Sequence, residues 1–113
     1  LKQDRKDRIF QSFIFSLSQN FRTHHSVSFY AAEQCLTPRY FSTIVREKSG
    51  RNALQWIMMF IIAEAKKLLS DPDPSIKEIA ETLGFSNQSF FGRYFKQYVG
   101  LSPMAFRSSG TKE

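Results

Sequence analysis

The stretch SIKEIAETLGFSNQSFFGRYFKQYVGLSPMAF, residues 75–106, decides the fold. Its opening Ser75 and Glu78 form an S-x-x-E capping box, in which each side chain satisfies a free amide at a helix start. Ile76, Ile79, Ala80 and Leu83 then recur at i, i+3, i+4 and i+7, the apolar face of a short amphipathic helix. Gly84 supplies the left-handed residue that ends this helix, Phe85 turns back into the core, and Ser86 is expected to cap a second helix. The apolar set of that second helix is Phe90, Phe91, Tyr94, Phe95 and Tyr98. Two helices around a tight Gly-containing turn make a helix-turn-helix. Gln88, Ser89, Gly92, Arg93, Lys96 and Gln97 fall between the apolar positions and point outward. In a major groove Gln pairs bidentately with adenine and Arg with guanine, each pair worth about 1–3 kcal/mol of discrimination. On this helix alone two readings stand: a base-reading face, or an ordinary solvated face with two cations.

Working outward, the 113 residues suffice for one domain or two very small lobes sharing a core. Twelve Phe, four Tyr and one Trp supply ample burial, and five Gly and four Pro stand where segments should start or stop. The pattern is all-helical with short connections. A net charge of +6 and a pI near 9.7 favour a polyanionic partner, because neutralising phosphates releases condensed counterions. A single Cys argues against a disulfide framework and fits a reducing, cytoplasmic compartment. The charged Leu1 to Arg8 has no apolar run and is no signal peptide. The start at Leu1 instead of Met is expected to mark a piece of a longer protein.

Along the chain, Ile9, Phe10, Phe13, Ile14, Leu17 and Phe21 form one stripe of an amphipathic helix over residues 9–21. Lys2, Arg5, Lys6 and Arg8, mixed with Asp4 and Asp7, are expected as a solvated lead-in. His24 and His25 have no further ligand at metal spacing, so no metal site is expected. Ser26 caps a helix to about Gln34 with Val27, Tyr30 and Ala31 inward. Thr37-Pro38 opens another to Lys48, with a capping hydroxyl before a proline at the first helical position. Phe41, Ile44 and Val45 face in, Arg39, Ser42, Thr43 and Arg46 face out, and Gly50 stops it.

These segments repeat. Tyr30-Ala31 through Leu36-Thr37 matches Ile79-Ala80 through Phe85-Ser86 at an offset of 49, and after a one-residue insertion Tyr40 through Arg46 matches Phe90 through Lys96 at an offset of 50. Gly50 then matches Gly100, and Trp56 matches Phe106. Between the copies runs Asn52 to Ser70, whose Leu54, Ile57, Met58, Ile61, Ala65 and Leu68 are expected on one face. Its uninterrupted apolar run, Trp56 to Ala63, falls far short of the ~20 residues a bilayer needs, so no membrane span is expected. A rod of roughly 27 Å could hold two lobes about one DNA turn apart, ~34 Å, for reading successive major grooves. Asp71-Pro72-Asp73-Pro74 ends it. Ser102 and Pro103 start a last helix in which Met104 and Phe106 pack back on the second copy, and residues 108–113 are expected as a disordered tail. The lobes expected are 9–51 and 75–107, with 52–70 connecting them.

The whole of Phe10 to Arg107 resembles the AraC-type (AraC/XylS) DNA-binding domain. The resemblance rests on S-I-x-E-I-A at Ser75 to Ala80, L-G-F-S at Leu83 to Ser86, Phe91 to Lys96 reading F-G-R-Y-F-K, G-L-S-P at Gly100 to Pro103, and T-P-x-Y-F-S at Thr37 to Ser42. It implies a seven-helix tandem helix-turn-helix, two three-helix lobes joined by a long central helix, with the third and sixth helices reading double-stranded DNA. By position the reading sets are Arg39, Ser42, Thr43 and Arg46, then Asn87, Gln88, Ser89, Gly92, Arg93 and Lys96. Gln34 stands where the second copy has Leu83, and Thr43 stands opposite Arg93; Arg39 or Arg46 takes over guanine reading, or the first set contacts phosphate only. Gly92 lets the backbone approach DNA, or its face merely tolerates it. The resemblance further implies a bacterial transcription regulator, an activator, with a sensing or dimerising domain ahead of this module and RNA polymerase as a candidate second partner. No cofactor is implied. Two other readings remain: an enzyme using Cys35, since some DNA-repair methyltransferases carry a similar module, and a helical protein-interaction module with an incidental basic surface. Cys35 lacks a base at fixed spacing and is expected to be a buried structural thiol.

Overall fold

Caps and prolines divide the chain into seven helices in the computed structural model, which describes residues 4–110. They are α1 (Arg5–Asn20), α2 (Val27–Glu33), α3 (Pro38–Ser49), α4 (Ala53–Ser70), α5 (Ile76–Thr82), α6 (Gln88–Val99) and α7 (Pro103–Gly110). The fold is all-α, and no strand occurs among the described residues. Two compact units divide between Phe60 and Ile61, inside α4. The helix expected as a connector is thus shared: Ala53 and Ile57 are fully buried in the first unit, Ile61, Ala65 and Leu69 in the second.

The expected α4 stripe needs correction. Leu54 is 49% exposed, and the buried positions instead follow a strict spacing of four. Four residues turn an α-helix by about 400°, so such a row drifts around the axis by roughly 40° per step instead of keeping one straight face.

In the first unit, Phe13 of α1 is the hub, edge-on to Tyr30 at 5.5 Å and to Phe41 at 5.0 Å between ring centroids. Such edge-to-face packing aligns the positive ring edge with the negative face of its neighbour. The lead-in expected before residue 9 is helical. Asp4 Oδ1 accepts the Asp7 amide at 2.7 Å while the Asp7 carboxylate accepts the Asp4 amide at 3.4 Å, a capping box that starts α1 at Arg5. Its charges are then used. Lys48 Nζ lies 2.8 Å from Asp7 and 3.4 Å from Asp4, and Lys6 Nζ lies 2.9 Å from Glu47. Lys2, placed in the same lead-in, lies outside the described residues.

The sequence repeat is a structural repeat. Helices α2 and α5 each have seven residues, and α3 and α6 each have twelve. The turns close with equivalent bonds, Leu36 N–H to Ala31 O and Phe85 N–H to Ala80 O, both 3.0 Å. Gly50 and Gly100 end the second helix of each pair at φ 80° and 94°, a conformation that carries no Cβ clash only for glycine. The inserted residue falls at the cap of α6: Asn87, not Ser86, is the N-cap, its Oδ1 accepting the Phe90 amide at 2.8 Å. Both are good capping residues, and the one-residue insertion moves the start.

Three further expectations change. Cys35 is exposed, not buried, and takes φ 60° where the second copy has Gly84 at 82°. A left-handed turn residue directs its side chain away from the two helices it joins. Phe90 and Tyr98, expected inside, are 49% and 42% exposed, and Met104 is 66% exposed. The expected tail is helical through Gly110, because Arg107 holds α7 to the second unit: its Nε donates to Leu69 O at 3.1 Å and its Nη2 to Asp71 O at 2.9 Å. Residues 111–113 of that tail lie outside the described residues. Phe106 packs edge-on against Phe95 at 5.5 Å, as expected for the last helix.

Candidate nucleic-acid interface

The caps that start α3 and α6 also aim their outer faces. Thr37 Oγ1 accepts the Tyr40 amide at 3.2 Å with Pro38 pre-setting the first turn, and Asn87 does the same for Phe90. Burial of Phe41, Ile44 and Val45 in one unit, and of Phe91 and Phe95 in the other, fixes the rotation of each helix. What remains outside is therefore decided by the core.

On α3, Arg39, Thr43 and Arg46 are exposed and Ser42 is half-buried. The four line one open hollow together with Glu47 and Asn52. Neither arginine side chain is in an ion pair among the described residues, so their planar donor forks are available. Thr43 is less so, because its hydroxyl donates to Arg39 O one turn back at 3.0 Å, leaving it only acceptor capacity. Asn52 faces the hollow but is occupied as a reciprocal cap, accepting the Gln55 amide at 2.9 Å while its own amide donates to Gln55 Oε1 at 2.8 Å. Glu47 is held by Lys6, whose ammonium this hydrogen bond keeps protonated to higher pH than usual.

On α6, Gln88, Ser89, Arg93 and Lys96 are exposed and Gly92 is half-buried. Asn87 is exposed too, but its carbonyl oxygen is used by the cap, so only its amide can donate outward. Asn87, Gln88 and Ser89 line a second open hollow with Lys77, Glu81 and Ser86. Around Gly92 a Cβ would meet nothing within 4 Å, so packing within the chain does not demand a glycine there. The Arg93 guanidinium pairs with no carboxylate among the described residues and lies over the Phe90 ring, Cζ to centroid 5.8 Å.

Of the ten expected positions, seven are exposed on α3 or α6, Ser42 and Gly92 are half-buried there, and Asn87 is the exposed cap ahead of α6; four lie in one unit and six in the other. Sequence reasoning missed Lys77, Glu47 and Asn52 at the rims, and the exposed rings of Tyr40 and Phe90, 43% and 49% exposed. The i, i+3 spacing of Phe90 and Arg93 was the available signal, since residues three apart share a helix side. Chemically both rows offer donors suited to base edges and phosphate oxygens. No group of three or more His, Cys, Asp or Glu residues able to hold a metal occurs among the described residues, and no helix among them is long and apolar enough to cross a membrane.

Residues 30–109 match a family model described as a helix-turn-helix domain. The chain is 34% identical over 86 residues to the arabinose operon regulatory protein of Salmonella typhimurium, covering 76% of this chain and 31% of that protein. The chain spans between a quarter and a third of the length of such curated relatives. Its fold is that of the C-terminal domain of AraT, a response regulator from Geobacillus stearothermophilus, with a TM-score of 0.84 at 23% identity over 94% of this chain and 88% of that one. The DNA-binding domain of AdpA, a global transcriptional factor solved in complex with a target DNA, aligns with a TM-score of 0.75 and 26% identity over 89% of this chain and 90% of that one.

Proposed function

We propose, starting from the fact that this chain belongs to the AraC-type helix-turn-helix family of DNA-binding transcription regulators, that it reads a promoter operator through α3 and α6. The family is one of regulators, not of enzymes. In this reading each helix enters a major groove of one duplex, the two grooves being successive turns. Arg93, Gln88 and Ser89 read base edges from α6; Arg39, Ser42, Thr43 and Arg46 make the corresponding set on α3; Lys96, the amide of Asn87 and the backbone at Gly92 engage phosphate and sugar. Affinity then comes mostly from cations on phosphates, and specificity from the few side chains at base edges.

The observation that carries the reading is the exposed α6 row, with an Arg93 guanidinium that pairs with no carboxylate among the described residues. An outward arginine fork with no carboxylate partner, on a capped helix, is what bidentate guanine recognition needs. The DNA held by the AdpA domain supports the same partner. The wider reading is that the full-length protein is a cytoplasmic bacterial activator with a sensing or dimerising domain ahead of this module, acting on RNA polymerase.

Selecting bound sites from a randomised duplex pool tests the proposal. The expected result is one preferred sequence with two contacted patches about ten base pairs apart, bound with an affinity that falls steeply with salt. Absence of duplex binding even at low salt would favour a protein-interaction module instead.

A further inference from the structure

Phe90 is an apolar side chain on the reading side of α6 that the core does not claim. It is 49% exposed, while Phe91 next to it and Phe95 one turn on are fully buried. Its backbone is fixed by the Asn87 cap. Its ring is fixed from beneath by Phe85, centroids 6.0 Å apart at 62°, and Phe85 is itself seated on Phe91 at 5.3 Å and Tyr94 at 5.1 Å. Above the ring lies the Arg93 guanidinium, 5.8 Å from its centroid. A chain of ring contacts therefore runs from the core of the second unit through Phe85 and Phe90 to the arginine. The first unit has the exposed ring, Tyr40 at 43%, but Thr43 in place of the arginine.

We infer that Phe90 is a positioning and specificity-determining residue: its ring holds Arg93 for guanine, and its exposed edge meets the 5-methyl group of a thymine neighbouring that guanine. The inference rests on the proposed reading of DNA through α6. A guanidinium on an aromatic face is attracted to the ring quadrupole and loses part of its rotational freedom before it meets a base, which favours the bidentate geometry. The ring edge offers the apolar contact by which side chains distinguish thymine from cytosine in a major groove. Because Arg93 and Phe90 are three residues apart on one helix, the base pairs they meet are adjacent.

The test uses the duplex selected by the unaltered chain, a copy with the guanine facing Arg93 replaced, and a copy with thymine beside that guanine changed to uracil, which removes the methyl group alone. The unaltered chain is expected to bind the thymine duplex about fourfold more tightly than the uracil one, the worth of one apolar carbon. Phe90→Ala is expected to lose about two- to fivefold of the guanine discrimination, to bind thymine and uracil duplexes alike, and to keep the salt slope. Phe90→Tyr retains both preferences, whereas Phe90→Leu, which keeps apolar bulk and covers the case of a less stable alanine variant, keeps the thymine preference and loses the guanine gain. Phe90→Ala and Phe90→Leu with unchanged guanine discrimination and an unchanged thymine-to-uracil ratio would overturn the inference. If Arg93→Ala flattens the guanine preference while the Phe90 variants do not, this inference alone fails; if Arg93→Ala leaves the preference intact, the proposed reading face fails with it.

Discussion

At the scale of single residues, the two copies of the helix pair act as controls for each other. Cys35 adopts the left-handed conformation that Gly84 adopts in the second copy. A Cβ there costs roughly 1–2 kcal/mol, and glycine adds about 0.5–1 kcal/mol of unfolded-state entropy, so Cys35→Gly should stabilise by about 0.5–1 kcal/mol in urea denaturation. Gly92 presents the reverse case, a helical glycine with open space around it. Gly92→Ala should raise stability by about 0.5–1 kcal/mol while weakening binding to the selected duplex, because the added methyl stands between backbone and DNA. Equal or tighter binding would show that the backbone makes no close approach. Arg93→Ala should flatten base preference; Lys96→Ala should weaken all duplexes alike and lower the salt slope by about 0.9. Outward positions were legible from sequence because core periodicity fixes them. Occupied side chains were not: the Thr43 hydroxyl bonded to Arg39 O and the Asn87 oxygen spent on a cap depend on local geometry that spacing does not show. Gln34 is another such case. Standing where the second copy buries Leu83, it donates from Nε2 to Ile9 O at 3.1 Å, a long-range satisfaction that replaces apolar packing.

At the scale of elements, caps did most to divide the chain, and apart from Ser86, displaced by Asn87, the caps read from sequence start helices where expected. The Ser75–Glu78 box, Ser26, and Thr37-Pro38 all start helices in the structure. The Asp4–Asp7 box was missed because two acids among four bases read as solvated charge, and the Lys48 that pairs with both arrives from α3. Asp4→Ala should lower the melting temperature through the lost cap, whereas Asp4→Asn, which caps equally well but has no charge for Lys48, should lower it much less, an exposed ion pair being worth little. Melting the two variants at low and high salt checks the assignment: the alanine loss should persist in salt, since it comes from a hydrogen bond. The end of α7 was missed for a related reason. Arg107 reaches carbonyls at the end of α4, a contact 36 to 38 residues away that no local pattern announces.

For the whole molecule, seven helices and their duplication were readable because helix lengths, caps and stop glycines recur in both copies. The division into units was not, since α4 is periodic throughout and only the packing shows which of its residues serves which core. Alkaline stability reports on one of these cores. The Tyr30 phenol, which donates to His24 O at 2.7 Å, is pushed up to about 12 from 10.0 by burial and then by the charge of Glu33. A phenol kept neutral in the fold stabilises it fully below pH 10, and that contribution drains away as the pH rises from about 10 to about 12. Melting temperature should therefore drop across that window, with a shallower drop in Tyr30→Phe. The position of the unit boundary has its own practical consequence. Because the seam lies within hydrogen-bonded helical backbone, with Phe60 and Ile61 as successive residues of one rod, a chimera spliced there must match helical phase as well as sequence. A splice at Asp71–Pro74, where the chain leaves the helix, escapes the phase requirement but obliges the incoming half to pack on the Ile61, Ala65 and Leu69 it inherits.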